Sequence, residues 1–303
     1  MTTAVRKGAR PVDLVWLTWR QHRWLLVVTA VAIGGFVVCC QLAQPSGQGV
    51  RVAPDWIAFL NTLAPVYAGL VAVFWGAPLL AREYEQRTHL LVWGLDVSPV
   101  RWLFSKTVLL AAVAAVLAVV LGMAGTAIAS EGPFSVVGFE YWPPIQVVYV
   151  VFGLALGTTV SVMVRRTVLS MVATLVGFTA VRVLIAKLAR PVYLPPVRSI
   201  APLADWPRIE PFALVVDQGN LDAAGNLVPQ DMLIQCALGG GTSLSGDAMS
   251  ACQKKLGVTQ TFSDYQPVER LLDFHLIETA IFLVLSAGLL LLAWRLVRRQ
   301  GAL

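Results

Sequence analysis

The residues able to do chemistry in this chain are few and lie in three places. Arg82, Glu83, Glu85, Arg87 and His89 crowd a short connector between two apolar runs. Alternating charge of this kind makes a surface suited to polar, reversible contact with a soluble partner. Arg182 and Glu278 stand inside apolar runs, where ionisable side chains pair with one another or relay ions. Cys236 and Cys252 lie in the one long polar segment. In an oxidising exterior a bond between them would close a loop of about 15 residues, worth ~3 kcal/mol in the chain-entropy model. Cys39 and Cys40 sit in the first apolar run and read as small buried apolar groups.

Several reactive arrangements are missing. No Gly-Lys dipeptide occurs, so the chain has no phosphate-cradling P-loop, and any ATP hydrolysis falls to a partner. The Gly-x-Ser-x-Gly and His-Glu-x-x-His patterns are absent, the cysteines have no Cys-x-x-Cys spacing, and the three histidines stand far apart. Leu244-Ser245-Gly246-Asp247 resembles an ABC signature only superficially. No catalytic residue, metal site or bound cofactor is expected.

The elements that must hold these groups follow from composition. Hydrophobic residues make up 57% of the 303, charged residues 13%, and mean hydropathy is +0.72; a soluble domain is typically about 25% charged. The apolar residues gather into runs near the ~20 residues that cross a bilayer core as helix. Only a helix satisfies its own backbone there. Six spans are predicted: Trp24–Ala43, Ile57–Ala81, Leu103–Ala129, Pro143–Val164, Val168–Ala189 and Leu276–Trp294. The fold class is therefore an all-α polytopic membrane protein. Net charge is +6, but the basic residues flank apolar runs, so nucleic acid is not an expected partner and the lipid bilayer is. Fourteen of the 23 Lys and Arg fall on one side of the six-span topology, which places both termini in the cytoplasm. The 18 Arg against 5 Lys, beside heavy Ala, Val and Leu use, fit a GC-rich bacterium.

Four regions result. Residues 1–23 form a cytoplasmic N-terminus, in which Pro11–Trp24 spaces Val12, Val15, Trp16 and Trp19 as an interfacial amphipathic helix would; the alternative is the start of the first span. Residues 24–189 hold spans one to five and the connector 82–102. Residues 190–274 form a small extracytoplasmic helical segment, with short helices near Gln230–Leu238 and Gly246–Leu256. Residues 275–303 are span six and a cytoplasmic tail. In span five, Arg182 takes Glu278 as its expected partner. Pro65 and Pro78 would kink span two. Asn61, Tyr67, Thr174, Thr179, Arg182 and Glu278 are candidates to face a pathway or a dimer seam, and Gly153 and Gly157 permit close helix contact.

Three stretches share one resemblance. Ala81-Arg-Glu-Tyr-Glu-Gln-Arg-Thr-His-Leu-Leu-Val-Trp93 with Val97-Ser-Pro-Val-Arg-Trp-Leu-Phe-Ser-Lys106 resembles the permease subunits of ABC-2-type transporters. Arg190-Pro-Val-Tyr-Leu-Pro-Pro196, and Tyr265-Gln-Pro267 with Arg270, Phe274 and Ile277-Glu-Thr279, look like the actinobacterial permease branch. The resemblance implies that the connector Arg82, Glu83, Glu85, Arg87 and His89 docks on the ATPase. Arg87 replaces the family's usual Gly, and a turn needing positive φ would be strained there. It further implies two ATP-binding subunits carrying ATP and Mg, a second permease copy as homodimer, a bacterial cytoplasmic membrane, and export. Few charges line the spans, so an amphipathic or lipophilic cargo is expected. A membrane receptor or assembly factor, and an ion-coupled carrier using the Arg182/Glu278 pair, are the alternatives.

Overall fold

The computed structural model describes residues 11–43, 54–86, 99–128, 132–203, 205, 207–238 and 246–300. They form two compact units. One holds the apolar helices, and the other comprises residues 132–134 and 187–274.

In the helical unit, α1 runs from Pro11 to Ala43 without interruption. At 1.5 Å per residue its 33 residues extend about 50 Å, longer than a bilayer core. The stretch expected as a separate interfacial helix is therefore its first turns. Then follow α2 (Pro54–Asn61), α3 (Leu63–Val71), a π-helical turn (Ala72–Gly76) and α4 (Pro78–Glu85). The rest are α5 (Pro99–Thr126), a short α6 (Val136–Glu140), α7 (Pro143–Val164) and α8 (Thr167–Leu184), which a second π turn extends over Ile185–Ala189. A last helix, Leu271–Gln300, is α11 in chain order. Among the described residues six stretches are long and apolar enough to cross a bilayer: Thr18–Leu42, Pro65–Glu85, Arg101–Thr126, Pro143–Val164, Thr167–Val192 and Val268–Arg299.

The second and fourth stretches form the centre of this unit. Each is 67% buried, against 17–22% for the first, fifth and sixth. The π turn arises where Pro78 follows: proline has no N–H and its ring collides with the carbonyl four residues back, and one extra residue in the turn relieves that collision. The Ala77 N–H accordingly bonds the Ala72 carbonyl, five residues back, at 2.9 Å. This widened turn lies against α7 at two glycines. A Cβ on Gly157 would come within 2.6 Å of Ala72 O and 2.7 Å of Ala77 N, and one on Gly153 within 2.9 Å of Ala72 Cβ. Gly76 returns the contact: a Cβ there would lie 3.2 Å from the Gly157 Cα. Backbone meets backbone here, as small residues allow between membrane helices.

A second close contact has no signature in the sequence. A Cβ on Gly125 in α5 would overlap the Tyr141 ring at 1.9 Å, and one on Gly122 would lie 2.9 Å from Tyr141 O. Tyr141 donates its hydroxyl to Leu60 O at 3.1 Å, tying the end of α2 to the α6–α7 corner. Trp142 in extended conformation and Pro143 at the first helical position start α7. Arg165 at φ 58° ends it, so only Arg165 and Arg166 separate α7 from α8.

The second unit corrects the expectation of a purely helical segment. Four strands, β1 (Val197–Pro202), β2 (Leu214–Asp222), β3 (Leu227–Val228) and β4 (Val258–Gln266), form an antiparallel sheet ordered β1-β4-β2-β3. The two short helices are present as α9 (Gln230–Leu238) and α10 (Gly246–Lys255). Cys236 and Cys252 are bonded between them, with Cα atoms 5.8 Å apart. Gly225 at φ 81° closes the β2–β3 turn, and Gly257 at φ 69° follows α10. Across β1 and β4, Arg198 grips Asp264 with two hydrogen bonds of 2.7 Å, and these hold the Asp264 carboxyl below the ordinary carboxylate range.

The glycine contact predicts a specific sensitivity. Gly157→Ala should cost about 1–3 kcal/mol through overpacking and lower the midpoint of thermal unfolding in detergent. Gly34→Ala, in α1 where nothing lies within 4 Å of the new methyl, should not lower it. Equal midpoints for the two variants would contradict the packing described.

Candidate functional site

Two polar clusters stand out within the helical unit, one at each end of its central helices. At one end, α4 emerges beside the starts of α5 and α8. A small apolar cluster of Leu80, Trp102, Leu103, Val162 and Val297 closes this end, so the ends of the second, fourth and sixth stretches meet the start of the third. That is what an up-and-down order of spans requires.

Over this cluster, α4 is tied at several points. The first turn of any helix leaves N–H groups without intrahelical partners. In α4 the Ser161 hydroxyl of α7 accepts from Leu80 N at 3.1 Å and Ala81 N at 2.5 Å. Glu83 pairs with Lys106 of α5, whose ammonium also lies 4.4 Å from the centre of the Trp102 ring. Lys106 is 1% exposed, and a buried ammonium needs such a partner. Glu85 accepts from Thr167 at the start of α8, from the hydroxyl at 2.6 Å and the backbone N–H at 3.3 Å. A carboxylate at a helix N-terminus is favourably placed against the helix dipole. The Arg165 guanidinium lies 5.5 Å from the Tyr84 ring centre.

The connector residues predicted from sequence thus divide. Glu83 and Glu85 bind within the protein, Arg82 is exposed, and Arg87 and His89 lie outside the described residues. Nothing in the sequence singles out Ser161 or Thr167, and Lys106, although it closes a quoted motif, shows no partner until α4 is placed beside it.

At the other end, Arg182 forms its ion pair with Glu140, the last residue of α6. This corrects the expected Arg182–Glu278 pair. Glu278 instead accepts the Tyr149 hydroxyl, and the Arg182 guanidinium lies 3.5 Å above the Tyr149 ring centre. Arg182 and Glu278 are brought together, but with Tyr149 between them as the shared contact. Glu140 escapes sequence reasoning because it sits in a short link outside the predicted spans; there it is 3% exposed, at the end of a helix whose start is capped by the Ser135 hydroxyl accepting from Gly138 N at 2.9 Å. His275 extends the cluster, stacked on Trp142 at 4.4 Å with its Nε2 3.2 Å from Phe139 O.

The remaining candidates do not converge. Asn61 is buried at the end of α2, and Tyr67 donates to Ala114 O of α5 at 3.0 Å. Thr174 is fully buried in α8, whereas Thr179 is exposed. Two apolar clefts open on this unit. One, of about 790 Å³, lies between α5 and α11 along Phe104, Val108, Leu290 and Leu291; the other, of about 290 Å³, lies between α1 and α3 beside Tyr67. No group of three or more potential metal ligands occurs among the described residues.

Residues 50–190 match the family model described as ABC-2 membrane transporter related. The match over that region supports an ABC-2-type permease. The match takes in α2 to α8, and with them the tied end of α4 and the Arg182–Glu140 pair. No curated protein and no solved structure matches the chain. A permease of this family is a multi-pass membrane protein and a transport subunit, and the family in general works with an ATP-binding partner.

Removing one member of a buried ion pair leaves an uncompensated charge, at a cost of about 3–5 kcal/mol. Arg182→Met should therefore lose much of the protein's stability. Adding Glu140→Gln should recover most of the loss in chemical unfolding of the detergent-solubilised protein. Single losses that simply add in the double variant would show that the two residues do not act as a pair.

Proposed function

We propose that this permease is the membrane subunit of an ATP-driven exporter in a bacterial cytoplasmic membrane. Two copies pair with each other and with two separate ATP-binding subunits, which carry ATP and Mg. The end of α4, with the connector beyond it, is the coupling element. The observation that carries this reading is the triple attachment of α4, to α7 through Ser161, to α5 through Glu83–Lys106 and to α8 through Glu85–Thr167. A push delivered at the end of such a segment moves three spans together.

The division among the connector residues sharpens the roles. Arg82, being exposed, belongs to the docking face, and Arg87 and His89 are assigned to it from the sequence. Glu83 and Glu85 transmit. The cargo class rests on the apolar clefts and on the scarcity of charge along the spans, which favour an amphipathic or lipophilic compound over a hydrophilic one. The Arg182 cluster is read as a tie between helices at the far end, since Arg182 pairs with Glu140 of α6 and lies on the Tyr149 ring of α7.

Affinity purification of the tagged permease from native membranes in mild detergent, followed by an ATPase assay, tests this directly. A stoichiometric P-loop protein with activity stimulated by amphipathic compounds is expected. Arg82→Glu should reduce the amount of partner recovered, whereas Glu85→Ala should leave assembly intact and loosen the link between hydrolysis and transport. Recovery of the permease alone from several detergents, or stimulation by small hydrophilic solutes only, would overturn the proposal.

A further inference from the structure

The sheet-containing unit has a pocket of about 470 Å³ lined by both polar and apolar side chains, within the ~300–1,000 Å³ range of small-molecule sites. Its floor follows from strand register. Gln218 is opposite Ser263, and Asn220 is opposite Thr261; because side chains alternate along a strand, all four stand on one face of β2 and β4. Gly219 and Phe262 fall between them, and Phe262 is 2% exposed. The walls are Gln230 and Leu233 from α9, with Met249 and Gln253 from α10. The Cys236–Cys252 bond joins those two helices and so holds the two walls at a fixed separation.

The lining is chemically selective. Four amide side chains and two hydroxyls each offer both donors and acceptors, and the only charged lining residue among those described is Asp205. The Thr261 hydroxyl has no hydrogen-bond partner among the described residues. With no Lys or Arg in the lining, an anionic ligand would meet a carboxylate and no counter-charge. An extended peptide binds by adding to a strand edge, but this pocket lies over the middle of the sheet, between β4 and β2. Leu203, Pro207, Ile209, Leu233 and Met249 give the lining apolar walls, but a lipid chain would leave the amides and hydroxyls of the floor without partners. What remains is a small, neutral, hydroxyl-rich molecule whose own donors and acceptors pair with amides.

We propose that this unit binds a neutral saccharide in the pocket between the β2–β4 face and α9–α10. Asn220, Gln218 and Gln253 supply the hydrogen bonds, and Met249 and Leu233 give an apolar wall to the ring C–H groups. The proposal rests on the pocket and not on the transport reading; a permease that proves to work without an ATPase would leave it unaffected.

The test is saturation-transfer difference NMR on the full chain in nanodiscs, with maltose and N-acetylglucosamine as probes and tri-alanine and inorganic phosphate as comparisons. Saturable transfer to at least one sugar is expected, weakened tenfold or more in Asn220→Leu. Gln218→Leu, at an exposed position, is the second variant should the first fail to fold, and should weaken binding likewise. Transfer to tri-alanine or phosphate but to neither sugar would overturn the proposal. So would no saturable sugar transfer at all, or sugar binding unchanged in folded variants.

Discussion

Everything in the helical unit depends on one contact, the approach of the π turn at Ala72–Gly76 to Gly153 and Gly157 of α7. Helices packed through large side chains sit about 8–10 Å apart; here a single methyl would reach a backbone carbonyl. In a bilayer no hydrophobic force drives helices together, so close packing of this sort supplies much of the attraction. The same contact fixes the direction in which α4 leaves the turn. Pro78 sets the start of α4, and Ser161, one turn beyond Gly157 on α7, receives its first N–H groups. The packing motif and the capping motif therefore lie on one stripe of one helix.

Charge is handled differently at the two ends of the bundle. Glu83–Lys106 and Glu85–Thr167 fasten helix ends, the first through a buried ammonium and the second at an exposed helix start. Glu140–Arg182 has Tyr149 and Glu278 completing the surroundings of the guanidinium. Desolvating such a pair costs as much as the attraction returns, so its value lies in specifying which helix faces which. It ties the end of α8 to α6, and Tyr149 ties α7 to α11 through Glu278. Between the ends, aromatic rings of α7, α8 and α11 fill the space, with Phe282 at 4.9 Å and 5.0 Å from Tyr149 and Phe152.

The spans were legible because a run such as Val108 to Leu121 in α5, which contains no charge at all, has only one fate in hydrocarbon. Gly153 and Gly157 were legible by their spacing, and the family by the order of its motifs. Partners were not. Glu140 and Glu278 are both acids at the same end of the bundle as Arg182, and only the rotation of α6 and α11 decides which one it meets. Gly122 and Gly125 gave no sign because their contact, Tyr141, lies in a turn whose path depends on Ser135 and Pro143. The sheet was invisible for a related reason: β2 and β4 pair Leu214 with Gln266 across two helices, and neither strand alone shows the even alternation of a half-buried strand.

The central claim is that α4 belongs to the rigid core of the helical unit and is not a loose membrane-proximal loop. Hydrogen–deuterium exchange of the full chain in nanodiscs tests it most directly. The amides of Leu80 and Ala81, held by Ser161, should exchange as slowly as those of α7 between Val148 and Val162. Exchange of the Leu79–Glu85 peptide at the rate of an unstructured terminus would contradict the account.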